Sequence, residues 1–437
     1  MRTRTGQASP SAGVFCGRGR KLAAPLKDDV MTTTTGDAVN RPAELDLQPE
    51  TVMVHGGTLR SQFAETSEAL FLTQGYVYAS AEEAEARFIG TSPGYQYSRF
   101  GNPTVTMFEE RMRLLEGAEM ARATATGMAA VTASLLSFLK AGDHVVAAKA
   151  LFGSCRYIVE DLCPRFGITS TLIDGRDLGA WEKAMRPNTR AVFFETPTNP
   201  TLELVDIAAV SKIAHAAGAL VVVDNVFATP MLQKPLQHGA DIVVYSATKH
   251  IDGQGRCLGG VVLGSKDYLD KHLQVFLRQT GPSMSPFNAW VLLKGLETLP
   301  VRVRAQTATA ALLADLLAEH NGVARTLYPG RPDFAQKALA SKQMTGGSTM
   351  LSFEIKGTKA ETFRFLNALK IIKISNNLGD AKSLITHPAT TTHQRLTPAA
   401  RAELGIGDNL VRLSVGLEAY VDLAADIGRA LSCSMGA

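Results

Sequence analysis

The sequence predicts an α/β protein with a large, mostly parallel sheet domain and a smaller C-terminal α+β domain. The chain has 437 residues, of which 45% are hydrophobic, so it can bury a large core. Between Gly101 and about Leu299, short apolar runs alternate with helical stretches, the pattern of a doubly wound sheet. Beyond that point, an amphipathic helix and two strand-like runs indicate a second, smaller sheet.

The individual elements follow from the apolar runs and their flanking residues. A helix rich in Ala and Leu is predicted over residues 129–139, and an amphipathic helix over 305–317. The strands predicted in the large domain are 144–148, 169–173, 191–195, 219–224, 242–245 and 260–263, and those in the small domain are 348–355 and 410–415.

Charge and cysteine content exclude several classes of protein. The formal net charge is +4, but residues 1–27 carry six basic and no acidic side chains, which leaves −2 for the rest of the chain. The basic pI therefore gives no reason to expect a nucleic-acid partner. No apolar run approaches the length of a membrane span, and five cysteines without a CxxC pair suit reduced thiols. We expect a soluble, cytoplasmic protein with no membrane or nucleic-acid partner.

A lysine at the end of a buried strand is the most informative feature. Residues 246–249, Ser-Ala-Thr-Lys, follow the apolar run 242–245 and precede a glycine-rich loop. Burial lowers the pKa of a lysine amine, which makes the amine of Lys249 available for a Schiff base with an aldehyde such as pyridoxal 5'-phosphate (PLP). Taken alone, the tetrapeptide more often carries a solvated surface lysine.

Two further motifs suit the ring and the phosphate of PLP. Asp224 follows the run 219–223 and can keep a pyridine nitrogen protonated, although a turn or helix-capping Asp is the commoner role. Thr126, Gly127 and Met128 open the predicted helix 129–139, where free N–H groups and the helix dipole attract phosphate; an ordinary cap is the alternative.

Two polar side chains complete the predicted site. Asn199 lies in a proline-stiffened loop after the strand 191–195 and can bind the phenolic oxygen of PLP, or simply form a turn. Arg412 lies within the apolar strand 410–415 and offers a planar fork for the α-carboxylate of an amino acid, unless it points to solvent.

Taken together and in this order, the motifs resemble the Cys/Met-metabolism family of PLP enzymes, a cystathionine γ-synthase-like group, from about Thr51 to Leu431. The resemblance implies the aspartate aminotransferase-like fold of fold type I PLP-dependent transferases. It also implies the roles of individual residues: Lys249 forms the Schiff base, Asp224 contacts the ring nitrogen, Arg412 binds the substrate carboxylate, and Gly127, Met128, Ser246 and Thr248 contact the phosphate.

The resemblance also implies shared active sites. Residues 95–104 are similar to an element in which Tyr97 and Arg99 would reach the phosphate held by a neighbouring subunit. An obligate dimer follows, paired again into a homotetramer. The implied domains are a disordered extension (1–45), an N-terminal arm reaching the neighbour (46–100), the large PLP-binding domain (101–300) and the small domain (301–437). The extension resembles a transit peptide, but a start at Met31 is the preferred interpretation.

Two departures from the family pattern indicate a branch. Phe152 stands where much of the family has a tyrosine stacked on the PLP ring, so stacking is kept and hydroxyl chemistry is lost. Asn377, expected in the substrate site, and the following Gly-Asp-Ala-Lys-Ser are similar to the sulfhydrylase branch. That branch implies γ-replacement in methionine biosynthesis, in which O-succinyl-L-homoserine and sulfide give L-homocysteine and succinate.

Several alternatives stay open. An O-acetylhomoserine sulfhydrylase or a cystathionine γ-synthase would use the same residues. A methionine γ-lyase is less favoured because of Phe152. A non-catalytic PLP-binding protein is less favoured because Lys249, Asp224 and Arg412 are intact.

Other residues have more than one interpretation. Lys382 and Arg395 are candidate cations for the leaving group, or surface charges. A dinucleotide fold is disfavoured by the glycine spacing in 253–259. His387 and His393 match no zinc pattern, so no metal is expected. Cys257 is an oxidant sensor or, more often, an idle thiol.

Overall fold

The computed structural model describes residues 47–434. The predicted disordered extension and the start at Met31 lie outside these residues. Within them, twelve strands form two sheets. The strands are β1 (Met120–Thr124), β2 (His144–Ala148), β3 (Thr169–Ile173), β4 (Thr189–Glu195), β5 (Leu220–Asp224), β6 (Ile242–Ser246), β7 (Gly260–Gly264), β8 (Val323–Leu327), β9 (Met350–Ile355), β10 (Lys373–Ile374), β11 (Leu384–Thr386) and β12 (Leu410–Ser414).

Helices connect and cover the strands. They are α1 (Pro49–His55), α2 (Ala81–Phe88), α3 (Pro103–Glu116), α4 (Gly127–Leu136), α5 (Gly153–Tyr157), α6 (Cys163–Arg165), α7 (Leu178–Ala184), α8 (Ile207–Ala216), α9 (Thr229–Leu232), α10 (Lys266–Tyr268), α11 (Gln274–Thr280), α12 (Pro286–Glu297), α13 (Leu299–Glu319), α14 (Lys337–Gln343), α15 (Lys359–Ala368), α16 (Pro398–Glu403) and α17 (Tyr420–Ser434). Between residues 47 and 434, no helix is long and apolar enough to cross a membrane.

The large sheet has the order β1-β7-β6-β5-β4-β2-β3. Its middle is parallel, since β6, β5, β4, β2 and β3 pair in the same direction, whereas β7 runs antiparallel to both of its neighbours. The prediction of a mostly parallel sheet is confirmed. Strand β1 was not predicted, because Met-Ala-Arg-Ala-Thr carries little of the β-branched and aromatic content that marks a strand.

Both faces of the large sheet are buried. Along β2 and β5, successive side chains alternate between two separate apolar clusters: Val146 and Ala148 belong to one, Val145 and Ala147 to the other. A strand that is covered on both faces is apolar throughout, which is why these strands read as continuous hydrophobic runs. The carboxyl ends of β4, β5 and β6 therefore lie at one edge of a rigid layer.

The smaller sheet has the order β10-β11-β12-β9-β8 and packs against α13, α15 and α17 through its own apolar cluster. α13 extends the predicted helix 305–317 at both ends, and α4 ends three residues before the predicted end of the helix 129–139. Strands β1–β7 lie within residues 101–300 and β8–β12 within 301–437. The domain boundaries themselves, and the role of residues 46–100 as an arm, stay predictions.

Candidate active site

A cavity of about 370 Å³ lies at the carboxyl ends of β4, β5 and β6. This is the edge at which open α/β sheets bind ligands. Ten of the predicted site residues line it: Thr126, Gly127, Met128, Phe152, Asn199, Asp224, Ser246, Thr248, Lys249 and Arg412. The fold thus brings together, from both sheets and their loops, residues that are as far apart in sequence as Thr126 and Arg412.

Lys249 is held in the turn that follows β6. Its backbone N–H donates to the carbonyl of Ser246 (3.2 Å), and its carbonyl accepts from Gly253 (2.8 Å). Its Nζ donates to Oδ1 of Asn377 at 2.6 Å. Burial, with a smaller contribution from the positive charge of Arg412, lowers the pKa of Lys249 to about 8. Near neutral pH, a usable fraction of the amine is therefore unprotonated, as Schiff-base chemistry requires.

Asp224 is buried, with 8% of its surface exposed, and faces the same cavity. Its Oδ1 accepts the backbone N–H of Val226 at 3.1 Å. Burial raises the pKa of Asp224 to about 6, although the Val226 N–H and the charge of Lys249 oppose the shift. A carboxylate held in this way has one oxygen free of the backbone and can accept a hydrogen bond from a protonated heterocyclic nitrogen.

The start of α4 forms a cradle suited to phosphate. The side chain of Thr126 caps the helix by accepting the N–H of Ala129 (3.0 Å), and Gly127 and Met128 contribute the first N–H groups, which a helix leaves free. A Cβ on Gly127 would lie 2.6 Å from Cβ of Ser246. The backbone at Gly127 and the hydroxyl of Ser246 are therefore close enough together to contact the same small anion. The hydroxyl of Thr248 contacts the loop at Gly259.

Arg412 is 1% exposed and is held by oxygen atoms on two loops. Its Nη1 donates to Oδ1 of Asn199 and its Nη2 to the carbonyl of Asn376, both at 2.9 Å. Its Nε is buried and has no partner in the described structure. Burial lowers the pKa of Arg412 to about 10, so the group is still a cation at neutral pH. A buried cation with a free donor at a cavity wall suits an incoming carboxylate.

These features fit PLP. The cavity offers an amine, a buried carboxyl for a ring nitrogen, an aromatic wall at Phe152, a helix start for phosphate and a guanidinium for a carboxylate. The assignment of each residue to one part of PLP stays a prediction. The oxygen of Asn199 is occupied by Arg412, so only its amide N–H groups are available for the phenolic oxygen.

The remaining predicted residues lie elsewhere in the described chain. Asn377 contacts Lys249 rather than lining the cavity. Arg99 lines a separate pocket of about 290 Å³ near Arg122 and Arg278, while Tyr97 is 41% exposed. The single chain therefore does not bring Tyr97 and Arg99 to Lys249, and their reach into a neighbouring subunit stays a prediction.

The two candidate leaving-group cations do not line the cavity. Lys382 is paired with Asp380 at 2.8 Å, and Arg395 is exposed.

Both ring nitrogens of His387 have local hydrogen-bond partners. Nδ1 contacts Thr390 and Nε2 contacts the carbonyl of Asp408, both at 2.8 Å. Residues 47–434 contain no group of three or more His, Cys, Asp or Glu side chains that could hold a metal ion.

Glu195, Cys155 and Thr392 are among the residues of the cavity wall that were not predicted as site residues from the sequence. Glu195 ends β4 as Asp224 ends β5, and the two are register partners on parallel strands. The sequence therefore indicated that Glu195 could lie beside Asp224, because both residues end predicted strands of the same parallel sheet. No sequence pattern indicated Cys155 or Thr392, because Cys155 lies at the start of a helix and Thr392 lies in an irregular loop.

Fold and cavity together fit one class of protein, the α/β enzymes that use PLP. The family model of the Cys/Met metabolism PLP-dependent enzymes matches residues 50–432. The chain belongs to this family.

The chain is similar to several named relatives. It is 56% identical to the O-succinylhomoserine sulfhydrylase of Mycobacterium tuberculosis (strain H37Rv), covering 87% of this chain and 95% of that protein. Identity to the Pseudomonas aeruginosa O-succinylhomoserine sulfhydrylase is 50%, covering 88% and 95%. A crystal structure from Campylobacter jejuni that carries N'-pyridoxyl-lysine 5'-monophosphate superposes with a TM-score of 0.85 at 32% identity, covering 88% of this chain and all of that one. PLP is thus the cofactor of the family and of a structural neighbour.

Proposed function

We propose that the protein catalyses a γ-replacement in methionine biosynthesis, in which O-succinyl-L-homoserine and sulfide give L-homocysteine and succinate. The observation that carries this proposal is 50–56% identity, over most of the chain, to two enzymes named for that substrate, combined with an intact Lys249, Asp224 and Arg412 in one cavity. The γ-carbon–oxygen bond of the substrate breaks, succinate leaves as a carboxylate, and HS⁻ supplies the sulfur of the new carbon–sulfur bond. No net oxidation or reduction occurs.

When bound, PLP supplies an electron sink that makes protons on the α- and β-carbons of the substrate removable. Lys249 is the residue that moves these protons. Its pKa near 8 lets Nζ accept a proton from one carbon and return it to another near neutral pH. Phe152 lines the same cavity, but its ring has no exchangeable proton and cannot take part in proton transfer.

Three residues orient the reactants. The guanidinium of Arg412, fixed by Asn199 and the carbonyl of Asn376, binds the α-carboxylate of the substrate. Asp224 holds a proton at the ring nitrogen of the cofactor. Asn377 accepts an N–H of Lys249 and so directs the lone pair of the amine.

We assign the phosphate of PLP to the cradle of Thr126, Gly127, Met128, Ser246 and Thr248. Tyr97 and Arg99 would complete it from a neighbouring subunit, in a homotetramer built from two dimers with shared sites. Large apolar side chains exposed between residues 61 and 100 support a covered arm, since Phe63 is 80%, Val77 95% and Ile89 68% exposed in the single chain.

The test is steady-state formation of homocysteine by the purified, PLP-loaded protein. Sulfide is first combined with O-succinyl- or O-acetyl-L-homoserine, and then replaced by cysteine. We expect a preference of at least tenfold in kcat/KM for the succinyl ester with sulfide. Preference for the acetyl ester would instead indicate an O-acetylhomoserine sulfhydrylase, and preference for cysteine a cystathionine γ-synthase. Lys249→Ala should lose both turnover and the visible absorbance of lysine-bound PLP.

A further inference from the structure

Glu195 is a buried acid at the wall of the cavity to which the proposed mechanism gives no task. It is 3% exposed and lies beside Asp224 in the register of β4 and β5. Its Oε2 accepts the backbone N–H of Phe152 at 3.0 Å. This contact joins the end of a central strand to the start of α5, 43 residues away in sequence.

The contact gives the backbone N–H of Phe152 a hydrogen-bond partner at the start of a helix. Phe152 is the N-cap residue of a continuous helical segment that runs from Gly153 to Arg165, and its side chain provides no cap. The N–H groups at a helix start have no partner within the helix, so an acceptor from elsewhere in the fold helps to hold the first turn. The acceptor here is a carboxyl on the rigid sheet, and the ring that it positions is half-buried and lines the cavity.

The charges around Glu195 favour its role as a neutral acceptor. Burial, together with the negative charge of Asp224, raises the pKa of Glu195 well above its usual range. The N–H groups of Phe152 and Asn199 and the charge of Arg412 oppose that shift. The thiol of Cys155 lines the same cavity, and burial, together with the charges of Asp224 and Glu195, raises its pKa as well. An uncharged carboxyl still accepts a hydrogen bond, and glutamine resembles it closely.

We propose that Glu195 is a positioning residue that fixes Phe152 at the wall of the cofactor cavity by accepting its backbone N–H. The proposal rests on the proposed function only in taking the cavity as the PLP site. Glu195 acts through Phe152, and its contribution to cofactor binding disappears when the ring of Phe152 is removed.

The test compares two variants of Glu195. Glu195→Leu removes the acceptor at similar volume, and Glu195→Gln keeps an acceptor oxygen without a charge. The dissociation constant of PLP and the visible circular dichroism of bound PLP are measured for each, with no substrate present. We expect Glu195→Leu to weaken PLP binding about tenfold, because a buried N–H is left unpaired, and to reduce the dichroic band. Glu195→Gln should stay within about twofold of the wild type.

A double-mutant cycle with Phe152→Ala separates positioning from a general effect. Because Glu195 acts through Phe152, Glu195→Leu should add less than about twofold to the loss caused by Phe152→Ala alone. Independent, multiplying effects would overturn the proposal, as would a loss in Glu195→Gln equal to that in Glu195→Leu.

If Glu195→Leu does not fold, amide hydrogen exchange of the wild type decides the question. The Phe152 amide should be strongly protected in the wild type, with similar protection in Glu195→Gln, whereas rapid exchange would overturn the proposal. Failure of the proposed function is distinguishable, since a wild type that binds PLP but forms no homocysteine refutes the reaction and leaves these measurements intact.

Discussion

The amine of Lys249 and the side-chain oxygen of Asn377 are 2.6 Å apart and joined by a hydrogen bond. Asn377 lies on a loop of the smaller sheet, whereas Lys249 follows a central strand of the larger one. The contact crosses 128 positions of sequence and sets the direction of an amine whose pKa is already lowered by burial. The sequence analysis expected Asn377 in the substrate site; in the structure its side chain contacts Lys249, the residue to which we assign proton transfer.

Replacing Asn377 by alanine should impair catalysis more than substrate binding. Without the acceptor, Lys249 samples other rotamers and is less often aligned with the carbon that it must deprotonate. We expect kcat to fall about tenfold while KM changes less than about threefold. Steady-state kinetics with O-succinyl-L-homoserine and sulfide measure both. Asn188→Ala, at an exposed amide that contacts Gly142, is the matched control and should leave both values unchanged. A larger change in KM than in kcat would contradict the role given to Asn377.

Capture of PLP by the cofactor-free protein should depend on pH through Lys249. Burial, followed by the charge of Arg412, lowers the pKa of this amine from 10.5 to about 8. Because only the neutral amine attacks an aldehyde, the capture rate should rise about tenfold per pH unit below pH 8 and level off above it. Stopped-flow absorbance between pH 6 and 9.5 gives the midpoint. An Nα-acetyl-lysine amide control reports the titration of PLP itself, and a protein midpoint near 10 would refute the lowered pKa.

A single methyl group at Gly127 should damage the phosphate cradle. An added Cβ would lie 2.6 Å from Cβ and 2.7 Å from Oγ of Ser246, so the start of α4 must move. We expect Gly127→Ala to raise the dissociation constant of PLP at least tenfold, measured by absorbance titration. Gly428→Ala, within α17, is the matched control, because a Cβ there meets no atom within 4 Å. That variant should bind PLP normally and gain about 0.5–1 kcal/mol of unfolding free energy. Normal binding by Gly127→Ala would show that the phosphate lies elsewhere.

The parts of the site that the sequence predicted are those carried on regular elements. Lys249, Asp224 and Asn199 follow apolar runs that are buried on both faces, so the strands and the edge that they share could be inferred from pattern alone. Gly127 and Thr126 were visible as a helix start.

The contacts that the sequence did not predict depend on distances between loops. Nothing local relates Asn377 to Lys249, or Glu195 to Phe152, because each pair meets only when two separate segments have packed. The strand β1 was missed for a different reason. Its residues have weak strand propensity, and the antiparallel pairing with β7 places it in the sheet.

A buried ion cluster should make stability depend on pH well below neutrality. Glu68, which is 6% exposed, contacts Arg111 at 2.5 Å and also pairs with Lys294. Burial alone would raise its pKa, but hydrogen bonds from Lys294 and Arg111 outweigh burial and lower the pKa from 4.5 to about 2. The cluster ties residues 56–68 to α3 and α12, since Arg111 also donates to the carbonyl of Gly56 at 2.9 Å.

A carboxyl with a depressed folded-state pKa stabilises the protein above its unfolded-state pKa, and this contribution is lost as pH falls from about 4.5 to about 2. Glu68→Gln should therefore cost about 3 kcal/mol of unfolding free energy at pH 7, because it leaves the buried Arg111 without its carboxylate and removes one of the two carboxylates that Lys294 contacts. The difference from the wild type should shrink as the pH is lowered from 5 to 3. Urea unfolding across this range measures it, with Glu110→Gln, in a partly exposed pair with Arg113, as the control. A difference that is independent of pH would mean that packing, rather than charge, gives Glu68 its role.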